Sequence, residues 1–172
     1  MTELDQIWSQ MLEHAAARAD NSGQSEIAGY IKLKASNDAV RSTGVNWLFD
    51  AMIEIAAETN RRVPAVTIER IDPHRFDRGN SNMVGSLVRV RQGVRCLTLE
   101  AGWTRTPNDG IMRNGALAAA RITHFGLRNF NADLALIYAN ELPLWHIESA
   151  EGSRTPFRIA DLESHFRVLL GE

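Results

Sequence analysis

The chain has 172 residues, of which 44% are hydrophobic and 23% are charged, and its formal net charge is -2. This composition is typical of a folded soluble protein, so it argues against intrinsic disorder, and the length suits a single α+β domain over residues 1–172. Cys96 is the sole cysteine in the sequence, which excludes an intrachain disulfide and a cysteine-rich zinc site.

The sequence also indicates where the protein acts. Residues 1–5 are acidic and lack the basic start and apolar centre of a signal peptide. No apolar run approaches the roughly 18 residues that are needed to span a bilayer. We therefore expect a cytoplasmic protein with no role in a membrane.

Charge is distributed unevenly along the chain. Residues 1–60 carry four basic and nine acidic side chains, residues 61–128 carry twelve and five, and residues 129–172 carry three and seven. The basic central segment predicts a surface for an anionic partner, either nucleic acid or an acidic protein face. Arginine outnumbers lysine 17 to 2, which suits the fork geometry of phosphate recognition, although GC-rich coding DNA would produce the same bias.

Hydrophobic periodicity predicts two N-terminal helices. Apolar residues recur at helical spacing over residues 3–18 and again over residues 40–56. Residues 25–34 fit either a helical turn or an alternating strand. Gly44 weakens the second helix by up to about 1 kcal/mol. We interpret both apolar stripes as core rather than as partner surfaces.

A strand is predicted at residues 66–71, followed by a polar loop over residues 72–82. This loop contains His74 and several carboxylates and amides, which are metal-binding groups, but their spacing matches no ligand pattern. We therefore expect a surface loop and no metal.

β-Branched residues on both sides of Gln92-Gly93 predict a β-hairpin. Two registers compete, one with Arg91 opposite Val94 and one with Arg89 opposite Arg95. We favour the first, because directly opposed like charges are unfavourable. One sheet face is then apolar, and the other carries Arg89, Arg91, Cys96, Thr98 and Glu100.

A second hairpin is predicted around Pro107-Asn108-Asp109-Gly110, with Thr106 opposite Ile111. The alanine-rich residues 117–125 return as a strand, with a helix as the alternative. Trp103, Arg105 and Arg113 would lie on an arm beyond the sheet, where an exposed aromatic ring and two arginines suit base stacking and phosphate contact. We favour the other interpretation, in which Trp103 caps the core and the arginines are merely solvated, because exposed arginines are ordinary.

The remaining elements complete the predicted fold. Strands are expected at residues 134–138 and 142–148, with Pro143 placing the second at a sheet edge. A polar loop at residues 150–156 leads to a final helix capped by Asp161. The element order predicts an α+β fold, in which N-terminal helices and a C-terminal helix pack on one face of an antiparallel meander of five to six strands.

The sequence contains no phosphate-binding glycine loop, nucleophile motif or dinucleotide fingerprint. The leading hypothesis is a binding or regulatory module with no cofactor. Its predicted anion-binding residues are Arg89, Arg91, Arg105, Arg113 and Arg121, with Trp103 for stacking.

Two other hypotheses remain open. One is an enzyme that acts on a phosphate- or carboxylate-bearing small molecule beneath the 103–115 arm. Glu100 would be its weak candidate base, because nearby arginines should lower the pKa of that carboxyl. The other is a homodimer that forms through the edge strand at residues 142–148.

Overall fold

The computed structural model describes residues 3–21, 23, 25–62 and 65–172. Within these ranges the chain forms three helices and seven strands, all strands lying in one antiparallel sheet whose spatial order follows the chain. The elements are α1 (Glu3–Asn21), α2 (Ser25–Arg62), β1 (Thr67–Arg78), β2 (Ser81–Gln92), β3 (Arg95–Trp103), β4 (Ala118–His124), β5 (Ala132–Ala139), β6 (Leu142–Glu148), β7 (Arg154–Pro156) and α3 (Ile159–Leu170). The α+β meander is confirmed, with seven strands rather than five or six. None of the helices in these ranges could cross a membrane, given their length and hydropathy.

The core lies between the helices and one face of the sheet, here called the helix face. Alternate strand residues such as Leu97, Leu99 and Ile122 are completely buried there, because α2 and α3 cover them. Each such side chain contributes about 1.5–3 kcal/mol through removal from water. Helix α1 packs on α2 instead, and Trp8 Nε1 donates to Asp38 Oδ2 at 2.8 Å.

Of the two glycines in α2, Gly44 is the one at which the helix lies directly against the sheet. A Cβ atom at this position would lie 2.6 Å from Leu136 Cδ2 on β5. The Gly44 carbonyl accepts a hydrogen bond from Trp145 Nε1 at 2.9 Å. Gly44 therefore serves close packing of the helix on the sheet, which offsets its low helix propensity.

The β2–β3 hairpin differs from the predicted register by two residues. Arg91 lies opposite Cys96 and Gln92 opposite Arg95, so the turn residues are Gly93 and Val94. Gly93 has φ of 58° and occupies the first turn position, where glycine tolerates a left-handed conformation. Because strand side chains alternate with a period of two, this even shift leaves every residue on its predicted face.

The β3–β4 connection is not a hairpin arm. Leu99 pairs with Ile122 and Ala101 with Ala120, so residues 104–117 form a loop that contains a short 3₁₀ helix at Pro107–Asp109. Asp109 Oδ2 accepts the backbone N–H groups of Thr106 at 2.9 Å and Arg105 at 3.2 Å. These bonds, the Thr106 N–H first, hold the pKa of Asp109 below its usual value. The predicted pairing of Thr106 with Ile111 is wrong, whereas the strand assignment for 117–125 is confirmed by β4.

The prediction of a loop at residues 72–82 is wrong. These residues form the end of β1, a tight turn and the start of β2. The register shifts between Ile71 and His74, and a Cβ atom at Gly85 would meet the Ala101 carbonyl oxygen at 1.9 Å. The sheet bends here, and the hairpin tip folds back so that Phe76 and Met83 pack on Ala119 of β4. Polar side chains concealed the strand, because β1 is an edge strand with mostly exposed residues.

Three predictions for the C-terminal part need correction. Residues 154–156 form β7, which pairs with β6 over His146–Glu148. Strand β6 is therefore an edge only around Pro143. Helix α3 begins at Ile159, and Asp161 in its first turn accepts the Arg158 backbone N–H at 2.7 Å. Asp161 therefore caps the helix from its first turn rather than from the position before the helix.

Candidate functional site

The sheet face opposite the helices, here called the open face, carries a row of charged residues. Successive cross-strand pairing from β3 to β7 aligns Glu100, Arg121, Asp133, Glu148 and Arg154. Directly opposed side chains lie within interaction distance, so three of the four pairs in this row join opposite charges and stabilise the sheet, whereas Asp133 and Glu148 are opposed like charges, each bound by arginines. Much of the charge on this face is therefore neutralised within the sheet itself.

Glu100 is held in this row from two sides. His74 Nε2 lies 2.9 Å from Glu100 Oε2, and Arg121 Nη1 lies 3.4 Å from Glu100 Oε1. The Glu100 side chain is only 15% exposed. The geometry is that of an ion pair that fastens β1 to β3 and β4, which leaves little room for a substrate at the candidate base.

The other predicted arginines on the open face have different surroundings. Arg89 pairs with Glu69 at 2.8 Å, and Arg121 also contacts Asp133 at 3.2 Å. Arg91 is exposed and makes no hydrogen bond or ion pair with any residue that the structure describes.

The hypothesis of an exposed Trp103 is wrong. Trp103 is 2% exposed, and its Nε1 atom has no hydrogen-bond partner among the described residues. Arg105 lies over the ring, with its guanidinium carbon 3.6 Å from the ring centroid. The face that a base would need is thus covered by a cation–π contact. Arg105 also lines a shallow cleft of about 270 Å³ between α2 and residues 104–110, together with Lys34 and Arg41.

A cavity of about 220 Å³ lies on the open face between the β1–β2 hairpin tip and residues 111–116, and is here called the hairpin cavity. Its lining residues are Arg78, Gly79, Ser81, Met83, Ile111, Met112, Arg113, Asn114, Ala116, Ala119, Ala135 and Glu148. The small side chains of Ala119 and Ala135 leave the space, and the folded hairpin tip encloses it.

Two arginines fix the polar side of the hairpin cavity. Arg78 Nη1 donates to the carbonyls of Leu134 at 2.6 Å and Ala120 at 3.2 Å, and its Nη2 contacts Glu148. Arg154 donates to Glu148 Oε1 at 2.7 Å and to the Asn114 carbonyl at 3.2 Å. Glu148 is therefore shared between two guanidinium groups.

Arg113 lies at the rim of the hairpin cavity, and its guanidinium group has no ion-pair partner among the described residues. Its guanidinium carbon lies 3.8 Å from the position that a Cβ atom of Gly79 would occupy. It makes no hydrogen bond or ion pair with the described part of the chain. Because Glu148 offsets only one of the two arginines that line the cavity, Arg78 and Arg113, the charged lining residues leave an excess of one positive charge.

The structure thus divides the five predicted arginines among separate places. Arg89, Arg91 and Arg121 lie along the sheet, Arg105 lies against Trp103, and Arg113 lies at the hairpin cavity. Sequence reasoning missed Arg78, Glu148 and Arg154 as members of a common site. The signal available for Arg78 was its alternation with His74 and Phe76, which is the pattern of a strand rather than of a loop.

A histidine pair lies on the helix face and consists of the buried His124 and the half-buried His165. His124 Nε2 and His165 Nδ1 are 2.9 Å apart. Burial lowers the pKa of His124, and burial followed by the charge of His124 lowers the pKa of His165 to about 4, against an opposing effect of Asp161. Within the described ranges, no group of three or more His, Cys, Asp or Glu side chains is arranged to hold a metal ion.

Comparison with protein-family models, with curated proteins and with solved structures gave no match. The function is therefore argued from the geometry of this chain.

Proposed function

We propose that the protein is a binding module for a small anion, a carboxylate or a phosphate, that occupies the hairpin cavity under Arg113. The observation that carries this proposal is the uncommitted guanidinium of Arg113 at the rim of a concave site with excess positive charge. Arginine presents paired donors that match carboxylate and phosphate oxygens, so an arginine without an ion-pair partner beside a cavity is well suited to such ligands.

The cavity also supports a limit on ligand size. Its volume of about 220 Å³ is below the roughly 300–1,000 Å³ of sites for drug-sized molecules. Met83, Met112 and Ile111 provide an apolar wall opposite the arginines. A short-chain organic acid would place its carboxylate at Arg113 and its carbon atoms against this wall.

The hydrogen bonds of the acidic residues favour binding over catalysis. Glu148 accepts hydrogen bonds from both Arg78 and Arg154, so its oxygens are occupied. Glu100, the candidate base, is bound by His74 and Arg121 and is not part of the cavity wall. The enzyme hypothesis therefore has less support than the binding hypothesis.

The broader hypotheses also have less support. A surface of five arginines for nucleic acid or an acidic protein face would need Arg89 and Arg121 to leave their partners in the sheet. Dimer formation through residues 142–148 would have to use the short part of β6 that β7 leaves uncovered.

The proposal is tested by titrating the protein with acetate, butyrate and inorganic phosphate, with binding followed by amide chemical shifts of residues 78–84 and 111–116. Arg113→Gln should weaken binding about tenfold or more, because a hydrogen bond to a charged group contributes about 1.5–3 kcal/mol. Arg91→Gln is the matched control, since Arg91 is also exposed and unpaired among the described residues.

Equal weakening by Arg91→Gln and Arg113→Gln would show that general surface charge attracts the ions, and would contradict the proposal. Tight, salt-sensitive binding of a single-stranded DNA oligonucleotide in the same titration would instead favour the broad arginine surface.

A further inference from the structure

A second concave surface lies between helices α2 and α3 and is here called the α2–α3 groove. It shares no lining residue with the hairpin cavity. It consists of two hollows of about 650 Å³ and 770 Å³ that share Ile159. On α2 the lining residues are Ala39, Val40, Thr43, Gly44, Trp47, Ala51, Glu54, Ile55, Glu58, Thr59, Arg61 and Arg62. On α3 they include Ile159, Glu163 and Leu170.

The lining residues of α2 follow the spacing of a helix-packing seam. From Val40 they recur every three or four residues through Trp47 and Ile55 to Glu58. The groove thus follows α2 over 18 residue steps, or about 27 Å at 1.5 Å per residue. Gly44 and Ala51 of this set face the core, so the groove runs along the edge of the contact of α2 with the sheet, and an elongated apolar groove of this length suits an amphipathic helix.

One end of the α2–α3 groove is apolar and open to water. Trp47 is 39% exposed, Leu144 46% and Ile159 47%, and they surround the side chains of Trp145 and Phe157. Single exposed apolar residues are ordinary, but a cluster of large ones in a hollow indicates a binding surface.

The other end of the α2–α3 groove is acidic. The carboxylates of Glu54, Glu163 and Glu172 make no hydrogen bond or ion pair with the part of the chain that the structure describes. Glu58 differs, because Arg61 and Arg62 bind it. A partner that binds at this end would therefore need basic side chains to pair with the carboxylates of Glu54, Glu163 and Glu172.

We propose that the α2–α3 groove docks an amphipathic helix of a partner protein. Large apolar side chains of that helix, spaced at i, i+3 or i+4 and i+7, pack beside Trp47 and Ile159, and its lysines or arginines lie over Glu54, Glu163 and Glu172. The elongated shape of the groove selects a helix, and the charge of the acidic end selects a basic one. This site is independent of the anion site.

The test uses 18-residue helical peptides with leucines at heptad spacing and three lysines at one or the other end, each labelled for fluorescence anisotropy. Matched peptides carry glutamates in place of the lysines. We expect at least one lysine peptide to bind tenfold or more tightly than its glutamate counterpart. Trp47→Ser should weaken this binding at least tenfold, and the double variant E54K/E163K should reverse the preference for charge.

Ile111→Ser is the control, because Ile111 is an apolar residue that is 81% exposed and lines the hairpin cavity rather than either hollow of the α2–α3 groove. Equal loss in this control, absence of binding by every peptide, or an unchanged charge preference in E54K/E163K would overturn the proposal. Concentration-dependent self-association that Trp47→Ser abolishes would also overturn it, since the occupant would then be a second copy of the chain. Thermal unfolding of each variant establishes that the protein remains folded.

Discussion

His124 and His165 share one hydrogen bond between β4 and α3, and both rings are largely removed from water. A neutral pair can make this bond with one ring donating and the other accepting. Protonation of both rings would place two positive charges about 3 Å apart in a poorly solvated site. Asp161 is the acidic group that acts on His165 in the opposite direction. The pair therefore couples the stability of the fold to pH.

The sign of this coupling follows from the two pKa values. An unfolded histidine titrates near 6.5, whereas the pKa of His165 in the folded protein is about 4. Between these values the unfolded chain binds more protons, so stability that is complete above pH 6.5 is lost as the pH falls towards 4. We expect roughly 1–2 kcal/mol of the unfolding free energy to be lost by pH 5 for this reason.

His165→Gln should reduce this loss, because glutamine has no proton to gain and its amide can still bond to His124. Urea unfolding at pH 7.5 and pH 5 measures the effect. His14→Gln, on the exposed side of α1, should leave the pH dependence unchanged. An equally steep loss of stability in His165→Gln would refute the assignment.

At the scale of elements, α2 offers a direct comparison of two glycines in one helix. Gly29 has no atom within 4 Å of where a Cβ would be built, whereas a Cβ at Gly44 would meet the buried Leu136 side chain at 2.6 Å. Helix propensity alone treats the two positions alike and predicts that alanine stabilises at both.

Gly29→Ala should raise the unfolding free energy by up to about 1 kcal/mol, because alanine has the higher helix propensity. Gly44→Ala should lower it by about 1–3 kcal/mol, because it overpacks the contact of α2 with β5. Urea midpoints of the two variants give the difference. A stabilising Gly44→Ala would mean that α2 does not press on the sheet as the structure shows.

The elements that could be predicted from sequence are those with a period. Helical stripes located α1, α3 and the second half of α2, whereas residues 25–34, left open between a helical turn and a strand, belong to the first half of α2. Strand alternation assigned the faces of β2 and β3 correctly although the register was wrong by two residues. Residues 72–78 are mostly exposed, because an edge strand buries little, so the second part of β1 was taken for a loop, whereas its first part was predicted as the strand at residues 66–71. Turn positions were missed because several dipeptides around Gly93 satisfy the same local preferences.

For the molecule as a whole, the decisive feature is that the sheet folds back on itself at the β1–β2 hairpin. Arg78 reaches across the open face to β4, β5 and Glu148 of β6, a residue 70 positions away in the chain. No local pattern encodes a contact of this length, which is why the hairpin cavity could not be predicted from sequence. Arg113 was singled out as an anion-binding residue, and its neighbours at the cavity depend on this long-range contact.

Arg78→Met should lower the unfolding free energy by about 2–3 kcal/mol, because it removes two hydrogen bonds to main-chain carbonyls and one partner of a partly buried Glu148. Amide hydrogen exchange should increase at residues 74–84, and it should change little in α2. Arg91→Met serves as the matched control, with an expected effect below about 0.5 kcal/mol. Unaltered exchange at the hairpin tip would show that Arg78 does not hold it down.

The order of the strands has a consequence for how the protein forms during synthesis. Each strand from β2 to β7 pairs with the strand that leaves the ribosome just before it, so the sheet can extend by one strand at a time, and the longest loop that must close is residues 104–117. Two contacts must form later, because their partners are far apart in the chain. Helix α3 packs on β2 and β3, and Arg78 binds Glu148 of β6. The hairpin cavity consequently gains its last charged wall only when β6 joins the nascent sheet.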